Sequence, residues 1–593
     1  MKVVALVSGG KDSVFSLMKC VEHGHSIRCL ATLQPPSSNA EVDSFMFQSI
    51  GTHVVTSIAE CMELPLVVQT LCGQSVATDM SYEPTKGDEV EDLYVLLKRV
   101  LELFPDVEAV NTGAIFSNYQ RTRVENVCNR LGLTSIAYLW RKNQDELMQE
   151  MIDAELNSIV VKVASMGLNP RKHLGHSIAD LYPTFLDLHE KYQFHICGEG
   201  GEYETLTLDC PLFKKRIVID EARVVIHSDD MFAPVGLYCI DALHLEDKDI
   251  IPHTKTVSHT NATITQTPTT KPTNAKHIPA RITSRCFRNQ IALSGVICED
   301  TSLSLSDQVH SIFSSIQKYL AQHDVALSNV VFVHIYVRDM AQFAHLNAVY
   351  ATYFPGLTPP SRSCVQVDME NTLQIDCLAI RGAGPCSTIT IATQREVLYI
   401  QSLSEWAPMC IGPYCQANTV SKSVIFCAGQ IPLKPETMTM LSAEMPTLLN
   451  LSYRNGARVL DAVDSNLHHV VSTLVYHTFD SSVGLDLCDQ SREILQTNVN
   501  EPDEYAHELD SDQSDEENDK AAIRIALATR SPIAAVGVPM LPKAAPVEVE
   551  LVALTHKAFS TLKPTSFELS ENNQLRSATI LYPKNALHWV FVC

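Results

Sequence analysis

The stretch Lys2-Val3-Val4-Ala5-Leu6-Val7-Ser8-Gly9-Gly10-Lys11-Asp12-Ser13-Val14 decides how the chain begins to fold. Residues 3–7 form an apolar run too short for a signal-peptide core, and they lead into a glycine turn rather than a small-residue cleavage site. They read as a buried strand, and residues 14–22 repeat apolar positions at helical spacing. Two adjacent glycines between strand and helix let the backbone turn tightly and aim consecutive N–H groups at one anion. The helix brings the positive end of its dipole to the same point. Lys11 adds a full charge, and Ser8 and Ser13 add hydroxyls. Ser8, Gly9, Gly10, Lys11, Asp12 and Ser13 are therefore the expected pyrophosphate cradle. The pattern is not Walker A, which needs four residues between its first glycine and Gly-Lys-Ser/Thr. A strand–turn–helix junction with a stray lysine is the plain alternative.

Outward from this point the rhythm continues. Residues 26–33, 107–112 and 158–163 read as strands, and residues 89–104 and 119–131 as helices. Alternation of that kind argues for a parallel sheet covered by helices. The strand at 107–112 runs into Thr112-Gly113-Ala114-Ile115-Phe116-Ser117-Asn118-Tyr119-Gln120-Arg121-Thr122-Arg123, at the sheet edge where open α/β folds bind ligands. Gly113 permits close approach of a base or ribose, and Arg121 and Arg123 offer planar forks to phosphate or carboxylate. Arg123 is the expected nucleotide contact; a salt bridge to Glu125 is the plain reading of either arginine. A third cluster is Cys197-Gly198-Glu199-Gly200-Gly201-Glu202-Tyr203-Glu204-Thr205. Three carboxylates among glycines are costly in a purely structural loop, because like charges repel and glycine loses more entropy on folding. Such a loop can hold Mg²⁺, bind ammonium or grip a cationic substrate. Spacing does not choose among these, and an exposed acidic turn is the bland alternative.

The chain has 593 residues, too many for one core, so about three or four domains are expected. It contains no apolar stretch of about 18 residues, so no membrane span is expected. The 18 cysteines include no Cys-x-x-Cys pair and read as reduced, mostly buried thiols of a cytoplasmic protein, so neither a structural zinc nor an iron–sulfur cluster is expected. A net charge of −23 argues against a general nucleic-acid binder. Residues 241–280, rich in Thr, Pro, Asn and Lys, read as a linker.

Beyond the linker, residues 327–336 parallel residues 467–476, each behind a helical stretch (308–323 and 448–464), and each helix follows a small-residue turn, Ser294-Gly295 or Ala428-Gly429. A duplicated α+β module of roughly 110 residues is expected. Ten acids between Glu501 and Asp519 mark a disordered acidic insertion at about 498–520. Ser514, followed by three acids, is a possible site for an acid-directed kinase, with a plain solvated loop as the simpler reading. The expected organisation is an α/β domain at 1–240, the linker, α+β modules at 281–386 and 396–560, and an extension at 561–593.

Ser8-Gly9-Gly10-Lys11-Asp12-Ser13 resembles the PP-loop of ATP pyrophosphatases, which split ATP between its α and β phosphates. Together with Tyr138-Leu139-Trp140, Lys162-Val163-Ala164 and Leu206-Thr207-Leu208-Asp209-Cys210-Pro211-Leu212, the three clusters resemble the diphthine–ammonia ligase family, in order over about residues 1–235. That resemblance implies ATP-dependent amidation of diphthine, a modified histidine of translation elongation factor 2. ATP activates the carboxylate as an acyl-adenylate with pyrophosphate leaving, ammonium attacks and AMP leaves; Mg²⁺ is expected with the ATP, and no residue is assigned to hold it. Lys11, Asp12, Glu199, Glu202 and Glu204 are the implied catalytic residues. No glutaminase domain is recognisable, consistent with free ammonium as donor. The Glu199–Glu204 loop or Tyr203 is expected to meet the quaternary ammonium of diphthine.

Trp406-Ala407-Pro408-Met409-Cys410-Ile411-Gly412-Pro413-Tyr414-Cys415-Gln416-Ala417, Ala428-Gly429-Gln430-Ile431-Pro432-Leu433 and Pro360-Ser361-Arg362-Ser363-Cys364-Val365 resemble the RidA/YjgF family. This implies small α+β modules that form trimers with imine-deaminase sites between subunits, so an oligomer or internal pseudo-trimer is implied. That site needs an arginine and an acid. The first copy has Arg362 and Asp376; the second has Glu550 and Tyr414 but only Ile533 at the arginine position. A composite site pairing Arg362 with Tyr414 is one reading, and a scaffold that docks the elongation factor is the other. The rival functions are a tRNA-modifying PP-loop enzyme, and an imine deaminase or scaffold with a nucleotide-sensing N-terminal domain.

Overall fold

A computed structural model describes residues 1–36, 46, 54–79, 82–248, 283–287, 289–382, 395–480, 482–497, 524, 527 and 531–560, and the backbone of 567–572, 575–581 and 586–592. The chain forms two compact units, the first comprising Met1–His259, Gln401–Trp406 and Pro435–Thr437 and the second the remainder.

In the first unit, β1 (Lys2–Leu6), α1 (Lys11–Glu22), β2 (Ser26–Gln34), α2 (Val55–Met62), β3 (Leu66–Thr70), α3 (Glu89–Leu103), β4 (Ala109–Asn111), α4 (Asn118–Leu131) and β5 (Thr134–Ile136) alternate as expected. The five strands lie in the order β3-β2-β1-β4-β5, all parallel. Val3, Val4 and Ala5 are fully buried at the centre, which is why this strand is almost wholly apolar. Helix α3 starts where Asp88 accepts a hydrogen bond from the Val90 N–H, carries Glu89, Glu91 and Asp92 in its first turn, and buries Val90, Leu93, Leu97 and Val100 on one face. Helix α4 is capped by Ser117 and ends at Gly132, whose φ of 70° suits the left-handed stop.

The segment after β5 departs from the expected single sheet. Helix α5 (Gln144–Asp153), β6 (Asn157–Val163), α6 (Pro170–His173), α7 (Ile178–Tyr192), β7 (Tyr203–Asp209), β8 (Lys215–Ser228) and β9 (Val235–Asp247) build a second, antiparallel sheet in the order β7-β6-β9-β8. The strand expected at 158–163 exists but belongs here. Its apolar run is buried on both faces, and periodicity alone does not tell a parallel from an antiparallel partner. Strand β9 also runs to Asp247, past the boundary expected at 240. Leu403 adds to the edge of the parallel sheet, its N–H donating to the Ser135 carbonyl and its carbonyl accepting from Ala137.

The second unit contains the duplication. One copy comprises β10 (Thr283–Phe287), β11 (Gln290–Ile297), α8 (Leu305–Ala321), β12 (Val330–Val337), α9 (Phe343–Ala351), β13 (Ser361–Gln366) and β14 (Leu373–Ile380), with sheet order β10-β11-β14-β12-β13. The other comprises β15 (Arg395–Leu398), β16 (Ala417–Val420), β17 (Val424–Cys427), a short hairpin of β18 (Leu433–Lys434) and β19 (Thr439–Met440), α10 (Met445–Asp461), β20 (Val470–His477), α11 (Val483–Thr497), β21 (Ile533–Gly537) and β22 (Val547–Leu554). Its sheet order is β15-β16-β17-β22-β20-β21. The registers correspond: Val333 faces Arg362 as Thr473 faces Ile533, and His334 faces Asp376 as Leu474 faces Glu550. Val331, Phe332 and Ile380 of the first copy pack with Phe426, Val471 and Val552 of the second. Residues 567–592 contain a three-stranded antiparallel sheet. The acidic stretch at 498–520, with Ser514, and most of the linker at 241–280 lie outside the described residues. Among the described residues no helix is long and apolar enough to cross a membrane.

Candidate active site

The parallel sheet reverses its winding between β1 and β4, and a cavity of about 500 Å³ opens at the carboxyl ends of these strands. Gly9 adopts φ 94°, which L side chains rarely accept, and so allows the turn into α1. The Gly9 carbonyl accepts from Thr207 N–H at 2.9 Å, and the Lys11 N–H donates to Thr205 Oγ1 at 3.0 Å, stitching the loop to β7. Ser8 Oγ accepts from the Gly10 N–H, and Ser13 Oγ donates to the Gly10 carbonyl at 2.9 Å. Part of the loop's polar capacity is therefore spent on holding its own shape. Gly113 lines the cavity, but the neighbour that forbids a side chain there is protein: a Cβ would sit 2.7 Å from Asp12 C and Ser13 N. The glycine lets the end of β4 press on the first turn of α1.

Lys11 is 3 % exposed and donates from Nζ to the Cys197 carbonyl at 2.5 Å and to Asp12 Oδ2 at 2.8 Å. Burial alone would lower its pKa, but the Asp12 carboxylate and the Cys197 side chain outweigh it and leave it raised. The ammonium is thus fixed as a cation at the cavity wall. Beside it, burial and then the Asp12 carboxylate push the Glu199 carboxyl up to about 7, while one of its oxygens accepts from the Phe116 N–H at 3.4 Å. Across the cavity Lys162 Nζ lies 3.2 Å from Glu204 Oε1. Two lysines and three carboxylates (Asp12, Glu199 and Glu204) thus meet at one opening, and the buried side chains of Ala31, Leu33, Leu93, Leu96 and Val124 form the apolar part of the same lining. Such a site can neutralise phosphates and bury a flat base. The sequence motifs assign Lys162 no role; a lysine interrupting the buried run Ile159-Val160-Val161 is the signal that marks it.

Not every expected residue reaches the cavity. Glu202 does not line it: one carboxylate oxygen accepts from the His195 N–H at 3.0 Å and braces the loop. Arg123 is fully buried and lies away from the cavity. Its guanidinium stacks 3.3 Å from the Tyr119 ring and donates to the Ala77, Asp79 and Tyr119 carbonyls, so it ties α4 to the preceding loop rather than meeting a nucleotide. Arg121 pairs with Glu125 at 2.6 Å and lies over Trp140. The Tyr203 ring is stacked on Phe185, its hydroxyl donates to the Ile196 carbonyl, and the cation over its face is Lys11 at 5.3 Å. That face is therefore already taken by a protein cation.

Comparison with known proteins places this geometry. The diphthamide synthase N-terminal domain model matches residues 1–135 and the diphthamide synthase C-terminal domain model residues 143–238. A diphthine–ammonia ligase of Schizosaccharomyces pombe is 39 % identical over 485 residues, 78 % of each chain. The chain belongs to the diphthine–ammonia ligase family. The diphthine–ammonia ligase of Danio rerio is 56 % identical over 250 residues, which make up 42 % of this chain and 98 % of that protein. The endoribonuclease L-PSP model matches residues 282–380 and 404–482. RidA from an Antarctic Psychrobacter is similar to 25 % of this chain over 94 % of its own, at 24 % identity and a TM-score of 0.18.

This ligase carries a second polar cluster, in its second unit, where the two copies meet. Arg362, 2 % exposed, lies 4.8 Å from the Tyr350 ring and 4.9 Å from the Tyr414 ring, so the residues that sequence pairs across the copies do come together. The free space beside them, lined by Cys364, Gly429 and Glu548 among others, is about 20 Å³, close to the volume one water needs. Asp376 accepts from the Gly295 N–H at 2.7 Å, and Glu550 accepts from Ser363 Oγ at 2.7 Å and faces His334 Nε2 at 2.9 Å. Both acids are engaged in holding the fold.

Proposed function

We propose that this ligase amidates diphthine on translation elongation factor 2 in the cytoplasm, using ammonium and converting ATP to AMP and pyrophosphate through an acyl-adenylate. The observation that carries this reading is the meeting of Lys11, Lys162, Asp12, Glu199 and Glu204 around one cavity with a partly apolar lining. In it, Gly9, Gly10 and the first turn of α1, with Ser8 and Ser13, hold the departing diphosphate, and Lys11 and Lys162 neutralise it. The apolar part of the lining, formed by Ala31, Leu33, Leu93 and Val124, takes the adenine. Asp12 sits where a phosphate-bound Mg²⁺ would be held; one of its buried oxygens has no hydrogen-bond partner, so the residue fits that ion. The Glu199 carboxylate is the base placed to take a proton from ammonium, which frees the nitrogen lone pair of ammonia to attack the acyl carbon. The Danio rerio relative supports assigning this chemistry to the first unit, because that protein is scarcely longer than the stretch matched by the two diphthamide synthase models.

The second unit is read as a scaffold. A cavity of about 20 Å³ beside Arg362 and Glu548 does not admit an imine substrate without rearrangement. Mass spectrometry of the elongation-factor histidine in cells whose only copy carries Lys11→Ala tests the proposal. Unamidated diphthine should accumulate, and normal diphthamide would overturn it.

A further inference from the structure

One imidazole holds the acidic loop before β7 in shape. His195 Nδ1 accepts from the Cys197 N–H at 3.2 Å and from the Glu199 N–H at 3.4 Å. The His195 N–H donates to Glu202 at 3.0 Å, and the His195 carbonyl accepts from the Gly198 N–H at 2.8 Å, closing a tight turn over residues 195–198. Cys197 is buried, so removing the imidazole would strand its N–H in the interior at the cost of an unmade hydrogen bond.

Both donors are backbone N–H groups, so Nδ1 must be bare and the ring proton must sit on Nε2. An imidazolium carries a proton on each nitrogen, and its Nδ1–H would face two other donors. The loop in this form therefore requires a neutral His195. The surroundings agree. Burial is the main influence and takes the pKa below the ordinary 6.5; the Glu202 and Asp12 carboxylates oppose it, while Lys11 of α1 and His189 of α7 add to the lowering. The Phe116 ring, edge-on at 6.0 Å, brings no charge. The two peptide groups held by Nδ1 bracket a third, whose carbonyl, that of Cys197, accepts from Lys11 Nζ at 2.5 Å. The second of the two leads directly into Glu199, which lines the cavity. His195 itself does not line the cavity, yet it sets where two residues that do line it stand.

We propose that His195 is a positioning residue of the ligase site: its bare Nδ1 shapes the loop so that Glu199 meets ammonium and the Cys197 carbonyl holds Lys11 toward the departing diphosphate. The inference rests on the ligase reading. A misplacement of about 1 Å can cost on the order of 10²-fold in rate, so releasing this loop acts on kcat.

The test compares His195→Ala and His195→Asn in the full chain. The asparagine Oδ1 stands where Nδ1 stands and accepts the same two bonds, but the amide takes up no proton in this pH range. Above about pH 7, His195→Ala should lose about 10- to 100-fold in kcat for amidation of elongation factor 2 carrying diphthine, and His195→Asn should recover it to within about threefold. Below the imidazole pKa the wild-type rate should fall with two protons, one on Glu199 and one on His195, whereas His195→Asn should fall with one. In a Glu199→Gln background His195→Ala should cost several-fold less than it does alone, because the two residues act through one loop. Wild-type kcat in His195→Ala, His195→Asn as slow as His195→Ala, or an unchanged acid limb in His195→Asn would each overturn the proposal. If the alanine variant melts early, the asparagine variant decides by its rate and acid limb. Nitrogen NMR of ring-labelled histidine in the wild-type chain, assigned by difference from His195→Asn, should show a bare Nδ1 whatever the turnover, and a proton on Nδ1 of the neutral ring would overturn the proposal as well. Wild-type chain with a bare Nδ1 that never amidates the factor would instead overturn the ligase reading and leave the hold on the loop standing.

Discussion

Replacing Gly113 by alanine tests whether the contact between β4 and α1 sets the geometry of the cavity. The glycine is not in the left-handed region, so alanine introduces no backbone strain and the effect is purely steric. The new Cβ would lie 2.7 Å from Asp12 C and Ser13 N, where ordinary contact begins at 3.4 Å, so the first turn of α1 must retreat by 3.4 − 2.7 = 0.7 Å. That turn carries Lys11 and the N–H groups proposed to hold the diphosphate. A misplacement of about 1 Å can cost on the order of 10²-fold in rate, so turnover should fall about 10- to 100-fold. Overpacking should also cost about 1–3 kcal/mol of stability, lowering the melting temperature by about 2–4 °C for each kcal/mol in a unit of this size. Pyrophosphate release under saturating ATP, ammonium and elongation factor 2 carrying diphthine, with a thermal melt of the variant alone, reads both effects. Wild-type turnover, or a stability loss with turnover unchanged, would refute the reasoning.

Glu199→Gln should remove the limb near pH 7 from the rate–pH profile, since the group that titrates there in the folded chain, at about 7, is gone. Because the folded protein holds that proton more tightly than the unfolded chain, the wild-type carboxyl costs stability as pH rises from about 4.5 through 7, and the variant should melt higher above pH 7. Glu405 has the opposite sign. Burial would raise its pKa, but hydrogen bonds from His23 and Lys142 bring it down to about 2, so its contribution is present above about 4.5 and lost as pH falls through about 2. Glu405→Gln should therefore cost roughly 1.5–3 kcal/mol at neutral pH and much less in acid, by denaturant unfolding. Arg362→Met should pack among Phe343, Tyr350 and Tyr414 with amidation unchanged and stability equal or higher, since a buried guanidinium replaced by an apolar chain of similar volume often loses nothing.

The parallel sheet was legible because a strand, a glycine turn and a helix each leave a local mark, and in residues 1–22 those marks agree. The duplication was legible for the same reason: two helix–strand units of equal spacing fold to matching registers. What local pattern does not carry is the choice of partner. Residues 157–163 read the same whether β1 or β7 lies beside them, so the antiparallel sheet and its long ribbon were missed. The arginines of α4 show a second limit. A guanidinium suits phosphate, carboxylate, backbone carbonyl and aromatic ring alike, and only the fold put Arg123 against Tyr119 and Arg121 against Glu125. Glu202 shares its loop with two carboxylates that line the cavity, yet its side chain turns back to the His195 N–H. The reverse case is Lys162, a charge in an apolar strand whose meaning appears once β7 places Glu204 beside it.

The most direct measurement of the central claim identifies the products of ATP turnover by the purified chain with ammonium and elongation factor 2 carrying diphthine. AMP and pyrophosphate should appear in equal amounts with one amide formed per ATP, and none without the factor. ADP and orthophosphate, or AMP formation indifferent to the factor, would contradict the account.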